Sequence, residues 1–114
     1  MTIIIVTMVS QRAFEIVYAP IVKRHLDSIE RKYYSNIRKA IKTQLRFEPD
    51  VETRNRKPLK RPVVFGAQWE VRFGSNNRFR IFYNVNRMSK QVNILAIGEK
   101  EGNKLLIGGE EIEL

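Results

Sequence analysis

The sequence predicts an α+β domain: an N-terminal strand, a two-helix hairpin, a basic loop and then an antiparallel sheet, with the helices packed on one sheet face. Three observations predict it. Apolar residues recur every three or four positions from Leu26 to Leu45, the spacing of one helix face. Beyond Trp69 the period changes to two, the pattern of half-buried strands. The 114 residues leave room for one core, so both patterns must share it. Residues 1–114 are therefore read as a single domain, with 1–12 as an extended or disordered start.

Taken in order, Ala13 to Tyr18 (AFEIVY) is a short apolar run whose aromatic and β-branched content favours a strand. Pro20 fits the first turn of a helix, where its missing N–H costs nothing, and a helical stretch runs on to about Glu30. Leu26, Ile29, Tyr33, Ile37, Ile41 and Leu45 make one apolar stripe, with Lys32, Arg38, Lys39, Lys42 and Arg46 between them. A break near Tyr34 and Ser35, with Ser35 as cap, turns this stretch into two helices; a single long helix is the other option. Glu48 precedes Pro49 and so leaves the α region, which ends the pattern.

Residues 50–68 lack periodicity. Within them RNRKPLKRP, Arg54 to Pro62, sets five cations around two prolines in a basic loop of restricted backbone. In the next strand Trp69, Val71 and Phe73 alternate with Glu70 and Arg72. In the one after, Phe79, Ile81, Tyr83 and Val85 alternate with Arg80, Phe82 and Asn84. Gly74-Ser75-Asn76-Asn77 between them is turn chemistry, so the two form a hairpin. Gln91 to Ile97 adds a strand after a turn at Asn86 to Lys90. Leu105 to Gly109 with Glu110 to Leu114 is either a last strand or a tail.

Composition narrows the function. The formal net charge is +9, which favours a polyanionic partner. Residues 98–114 hold two lysines against five glutamates, so the body of the chain is more basic still and its end is acidic. The absence of cysteine removes disulfides, thiolate metal sites and thiol nucleophiles together. A single histidine, His25, makes a histidine metal site implausible, and it is read as structural or surface. No metal and no cofactor are expected. Thr2 to Val6 is too short for a signal-peptide core or a membrane span and no Lys or Arg precedes it, so a cytoplasmic protein without a membrane partner is expected.

The alternation also sorts chemistry from packing. It sends Trp69, Val71, Phe73, Ile81, Tyr83 and Val85 toward the helices and leaves Glu70, Arg72 and Arg80 on what reads as an open sheet face. An arginine on rigid β structure presents a planar, permanently charged fork that matches phosphate. The bland reading of Arg72 and Arg80 is solvated strand residues paired with Glu70. RNA cleavage needs no metal when the ribose 2′-hydroxyl attacks its own phosphate, provided a base, an acid and a cation are positioned. Cations are plentiful here; for a base the sequence offers Glu70, Glu99, or a lysine only if it is desolvated. Phe82 is the one candidate for an exposed stacking aromatic.

The order of these segments resembles the RelE/ParE superfamily of toxins from type II toxin–antitoxin systems. The likeness spans roughly residues 13 to 112 and rests on the helix pair, the RKPLKRP loop, WEVRFG, NRFRIFYNV and VNILAIG taken together. It implies a RelE-like fold, a cognate antitoxin as partner and, in the ribonuclease members, cleavage of messenger RNA on the ribosome. Arg80, before Ile81-Phe82-Tyr83, matches the family's strand arginine and would be the transition-state residue. Arg72 matches a strand position that is often basic, and Lys100, in the turn Gly98-Glu99-Lys100-Glu101, stands where those enzymes carry a second arginine. Arg54, Arg56, Lys57, Lys60, Arg61 and Arg78 would contact RNA. Two positions depart from the pattern: Glu70 replaces a lysine, and the region of Leu106 lacks a catalytic tyrosine or histidine. The resemblance therefore implies a ribosome-dependent endoribonuclease or, as alternatives, a ParE-like non-enzymatic inhibitor of DNA gyrase or a catalytically degenerate RNA-binding relative.

Overall fold

The computed structural model describes residues 12–60 and 64–113. The start at 1–12 lies, except for Arg12, outside the described residues. The chain runs β1 (Glu15–Tyr18), α1 (Val22–Asp27), α2 (Tyr34–Leu45), β2 (Arg56–Pro58), β3 (Trp69–Phe73), β4 (Phe79–Asn86), β5 (Gln91–Glu101), β6 (Lys104–Ile107) and β7 (Glu110–Ile112). The described residues form an α+β architecture of two helices and a seven-stranded sheet ordered β2-β3-β4-β5-β6-β7, with β1 off this path. Five neighbouring pairs are antiparallel; β1 lies parallel to β5, Glu15 opposite Gln91 and Tyr18 opposite Ile94.

Two helices form, but the break between them lies upstream of the expected Tyr34–Ser35. The Ser28 hydroxyl donates to the His25 carbonyl at 2.7 Å, and Glu30 takes an extended conformation (φ −61°, ψ 137°). A short 3₁₀ turn, Arg31–Tyr33, then leads straight into α2, so Ser35 is helical and caps nothing. The two helices do not chiefly pack on each other: α1 packs against β5. Val22, Ile29, Ile37, Ile41 and Leu45 form one core with Val71, Phe79, Ile81, Tyr83, Val92, Ile94 and Ile97, so both helices cover the same sheet face. Burying a side chain of this size is worth about 1.5–3 kcal/mol, which makes this core the main driving force of the fold.

β5 is longer than its sequence suggests. Gly98 to Glu101, expected as a turn, continue the strand because all four pair with β6 on one side and Gly98 and Glu99 pair with β4 on the other. The partners of β4 step from Ala96 opposite Phe82 to Ile94 opposite Tyr83, so Leu95 is an extra residue and marks a β-bulge. The bulge resets the alternation and lets Ile94 and Ile97, an odd number apart, both face the helices.

The free edge of β5 is shared, β1 covering Gln91 to Ile94 and β6 covering Gly98 to Glu101. Ile97 falls in the gap. Its N–H is taken by His25 Nδ1 at 3.2 Å, so the lone histidine is a structural plug. Because the peptide can only donate, Nδ1 must be the acceptor and the ring proton sits on Nε2.

β6 and β7 settle the C-terminal segment as a hairpin. Gly108 and Gly109, at φ +61° and +80°, form the two-residue turn that joins Ile107 to Glu110, a connection that needs positive φ at both positions. No helix among the described residues is long and apolar enough to cross a membrane.

Candidate functional site

The sheet face away from the helices is not open. Phe82, Ala96, Leu105 and Ile107 project from it and are buried with Ala67, while Leu59 and Ile112 close over them. Phe82, expected as an exposed stacking residue, is fully buried in this second core. Leu59, Ala67 and the β6–β7 hairpin pack across the face, and period-two alternation carries no information about such a cover.

At the edge of this second core lie the charged strand residues. Arg72 on β3 stands directly opposite Arg80 on β4, and like charges in that position repel. Glu70, two residues along β3 and therefore on the same face, answers both. Its Oε1 accepts from Arg72 Nε at 2.9 Å and lies 3.4 Å from Arg80 Nε. Glu70 is 4% exposed and Arg80 7%. Burial pulls the Arg80 guanidinium below its ordinary pKa, Glu70 opposes that pull and Arg72 adds to it; the group remains charged. The Nε of Arg80 is buried without a hydrogen bond, an unmet demand for an acceptor.

Arg80 leads into a cleft of about 460 Å³, lined also by Lys100, Asn103, Lys104, Leu105, Glu111, Ile112 and Glu113. Arg80 pairs with Gly98 across β4 and β5, and Lys100, two residues on, shares its face. The two cations named twenty residues apart in the chain thus meet in one depression. Gly98 lets β6 lie close, since a Cβ there would crowd the Leu105 side chain at 2.9 Å and the Leu106 carbonyl at 3.2 Å. Arg72 reaches the arrangement only through Glu70 and stays more exposed.

The other expected contact residues divide. Arg56 is drawn inward by β2: its Nε donates to the Val51 carbonyl at 3.0 Å and its guanidinium to the Gln44 carbonyl at 2.7 Å, closing the end of α2. Buried and engaged by two carbonyls, it serves the fold. Arg54, Lys57 and Lys60 are exposed, and Arg61 lies outside the described residues. Arg78 is bound to Glu99 through Nε at 2.6 Å and lies over the Tyr33 ring at 4.5 Å, and the hydrogen bond to Glu99 raises its pKa. That ion pair occupies Glu99, one of the two bases considered, and Glu70 is occupied by the arginines. Leu106 is opposite Glu99 and alternates away from the face of Leu105 and Ile107.

Sequence reading missed Glu111, Glu113 and Asn103 as members of the cleft. The signal was present: Gly102-Asn103 and Gly108-Gly109 are two tight-turn dipeptides four residues apart, which fold 104–113 back as a hairpin against β5. Among the described residues no group of three or more His, Asp or Glu is placed to hold a metal. Comparison with protein-family models, with curated proteins and with solved structures finds no match for the chain.

Proposed function

We propose that this protein is the toxin of a type II toxin–antitoxin pair, similar to the RelE/ParE superfamily, and acts in the cytoplasm as a metal-independent endoribonuclease on messenger RNA at the ribosome. The observation that supports the reading most is the convergence of Arg80 and Lys100 in one cleft. There the 2′-hydroxyl of a ribose attacks the adjacent phosphorus, the bond to the 5′-oxygen breaks, and the charge that builds on the phosphate is met by the two cations. Arg80, short of an acceptor at Nε and largely withdrawn from water, gains more from a phosphate oxygen than a solvated arginine would. Glu111 of β7, or Glu113 just beyond it, lines the cleft and would take the 2′-hydroxyl proton and return it to the departing 5′-oxygen. Arg54, Lys57 and Lys60 extend the cationic surface for the message, and a cognate antitoxin is the partner that would neutralise it.

A ParE-like, non-enzymatic inhibitor of DNA gyrase is the second reading. It is favoured by the engagement of Glu70, Glu99 and His25 with structural partners, which leaves Glu111 and Glu113 as the carboxylates lining the cleft, among the described residues.

The test adds purified protein to ribosomes stalled on a defined message and maps new 5′ ends, with Arg80→Ala and the more exposed Lys100→Ala alongside. Cuts in the A-site codon that are lost in both folded variants support the ribonuclease. An intact message at protein excess, with growth arrest on expression still present, favours the second reading. Cuts that persist in both variants sink the site assignment.

A further inference from the structure

A second depression, of about 270 Å³, adjoins the cationic cleft at Ile112 and is mainly apolar in character: Ile21, His25, Phe65, Ile107 and Ile112 line it, together with Arg24 and Glu110 of opposite charge. Ile112 belongs to both depressions. Leu105 marks the first and Ile107 the second, two residues apart on one strand, or about 7 Å. That distance suits the step from a phosphate to a neighbouring base.

Phe65 is the unusual member. It is 56% exposed, among the most exposed large apolar side chains of the described residues. Its backbone is left-handed (φ 54°, ψ 27°), a conformation that is strained for a bulky residue and that glycine or asparagine would take more easily. The turn is held from the sheet, where Asn84 donates to the Gly66 carbonyl at 3.2 Å and accepts from Gln68 N–H. One face of the ring region is supported by His25, centroid to centroid 5.6 Å. Strain kept in place to hold an aromatic at the surface, beside an apolar depression, is what a stacking platform requires.

We propose that Phe65 and this depression form a nucleobase subsite, taking by stacking the base of a single-stranded RNA whose phosphate lies at Arg80 and Lys100. The inference rests on the reading of the Arg80 cleft as an RNA phosphate site. The +9 charge of the chain and the shared Ile112 select RNA over an apolar peptide as occupant. Stacking is indifferent to base identity, so the subsite adds affinity and register without sequence preference.

The experiment measures anisotropy of two labelled hexaribonucleotides at fixed salt, hexauridylate and an abasic hexamer with the same phosphates, against the wild-type chain, Phe65→Ala, Phe65→Trp and Lys100→Ala. The wild type should bind hexauridylate about 5- to 100-fold tighter than the abasic strand. Phe65→Ala should erase that ratio without weakening abasic binding, Phe65→Trp should keep it, and Lys100→Ala should weaken both strands alike. Equal wild-type binding of the two strands, with Lys100→Ala still weakening both, overturns the base subsite and leaves the phosphate site standing. No binding of either strand overturns both. An unchanged thermal melt of Phe65→Ala shows that the loss is one of contact and not of fold.

Discussion

The Glu70 carboxylate stands 3.4 Å from the Nε of Arg80, and both groups are buried. A buried ion pair is weak evidence of net stability, but removing one partner strands the other charge in a medium that cannot solvate it. Glu70→Ala is expected to cost about 3–5 kcal/mol for that reason. Glu70→Gln keeps the shape and a hydrogen-bond acceptor and should cost about 1–3 kcal/mol. Urea midpoints at constant slope measure both. A loss under ~1 kcal/mol for Glu70→Ala would show that Arg80 escapes to solvent when freed.

His25 should make stability pH-dependent. Burial lowers its pKa below the ordinary imidazole value of about 6.5, because the charged ring would lose solvation and Nδ1 would lose its role as acceptor of the Ile97 N–H. Above about pH 6.5 the ring is neutral folded and unfolded, and its contribution is complete. Below that value the unfolded chain takes up a proton that the native state refuses, so stability falls as pH drops toward the lower native pKa. His25→Asn, with Oδ1 in place of Nδ1, should flatten this part of the pH profile of the thermal midpoint. A profile with the same slope in the variant would assign the effect to other groups.

Neighbouring cations of the basic loop should separate by phenotype. Arg56 closes the end of α2 through two carbonyls, so Arg56→Ala should cost about 2–4 kcal/mol. Lys57, exposed on the same strand, should leave the denaturation midpoint within about 0.5 kcal/mol when changed to Ala. If the loop contacts RNA as proposed, Lys57→Ala should instead reduce the salt dependence of binding by about one counterion. A stable Arg56→Ala would show that its two carbonyls find other donors.

Tyr83 ties the sheet to the connection that follows α2. Its hydroxyl donates to the Pro49 carbonyl at 2.6 Å inside the core, and burial pushes its pKa well above the usual phenol range. Tyr83→Phe removes one oxygen, leaves that carbonyl unmet and should cost about 1–3 kcal/mol in a urea melt. Proteolysis should then begin between Leu45 and Arg56, where the anchored segment lies.

Much of the site was legible residue by residue. The alternation Trp69-Glu70-Val71-Arg72-Phe73 against Phe79-Arg80-Ile81-Phe82-Tyr83 places Glu70, Arg72 and Arg80 on one face, and the strand pairing puts them there. The sequence singles out Arg80 and Lys100 but reads Lys100 as part of a turn. Its strand depends on β4 and β6 together, partners that are distant in sequence or follow it, and no local pattern encodes them.

What the sequence determined by itself is the local part: the helix stripe from Leu26 to Leu45, the period-two strands, the Gly-rich turns and the excess of positive charge. Each of these follows from spacing within a few residues or from composition. What only the tertiary structure decided is burial. It turned Phe82 inward beneath Leu59 and Ala67, drew Arg56 onto the end of α2, set His25 in the gap at Ile97, and closed the acidic hairpin beside Arg80. The physical reason is that an amphipathic strand specifies which residues share a face, whereas what covers that face depends on segments brought together only when the whole chain packs.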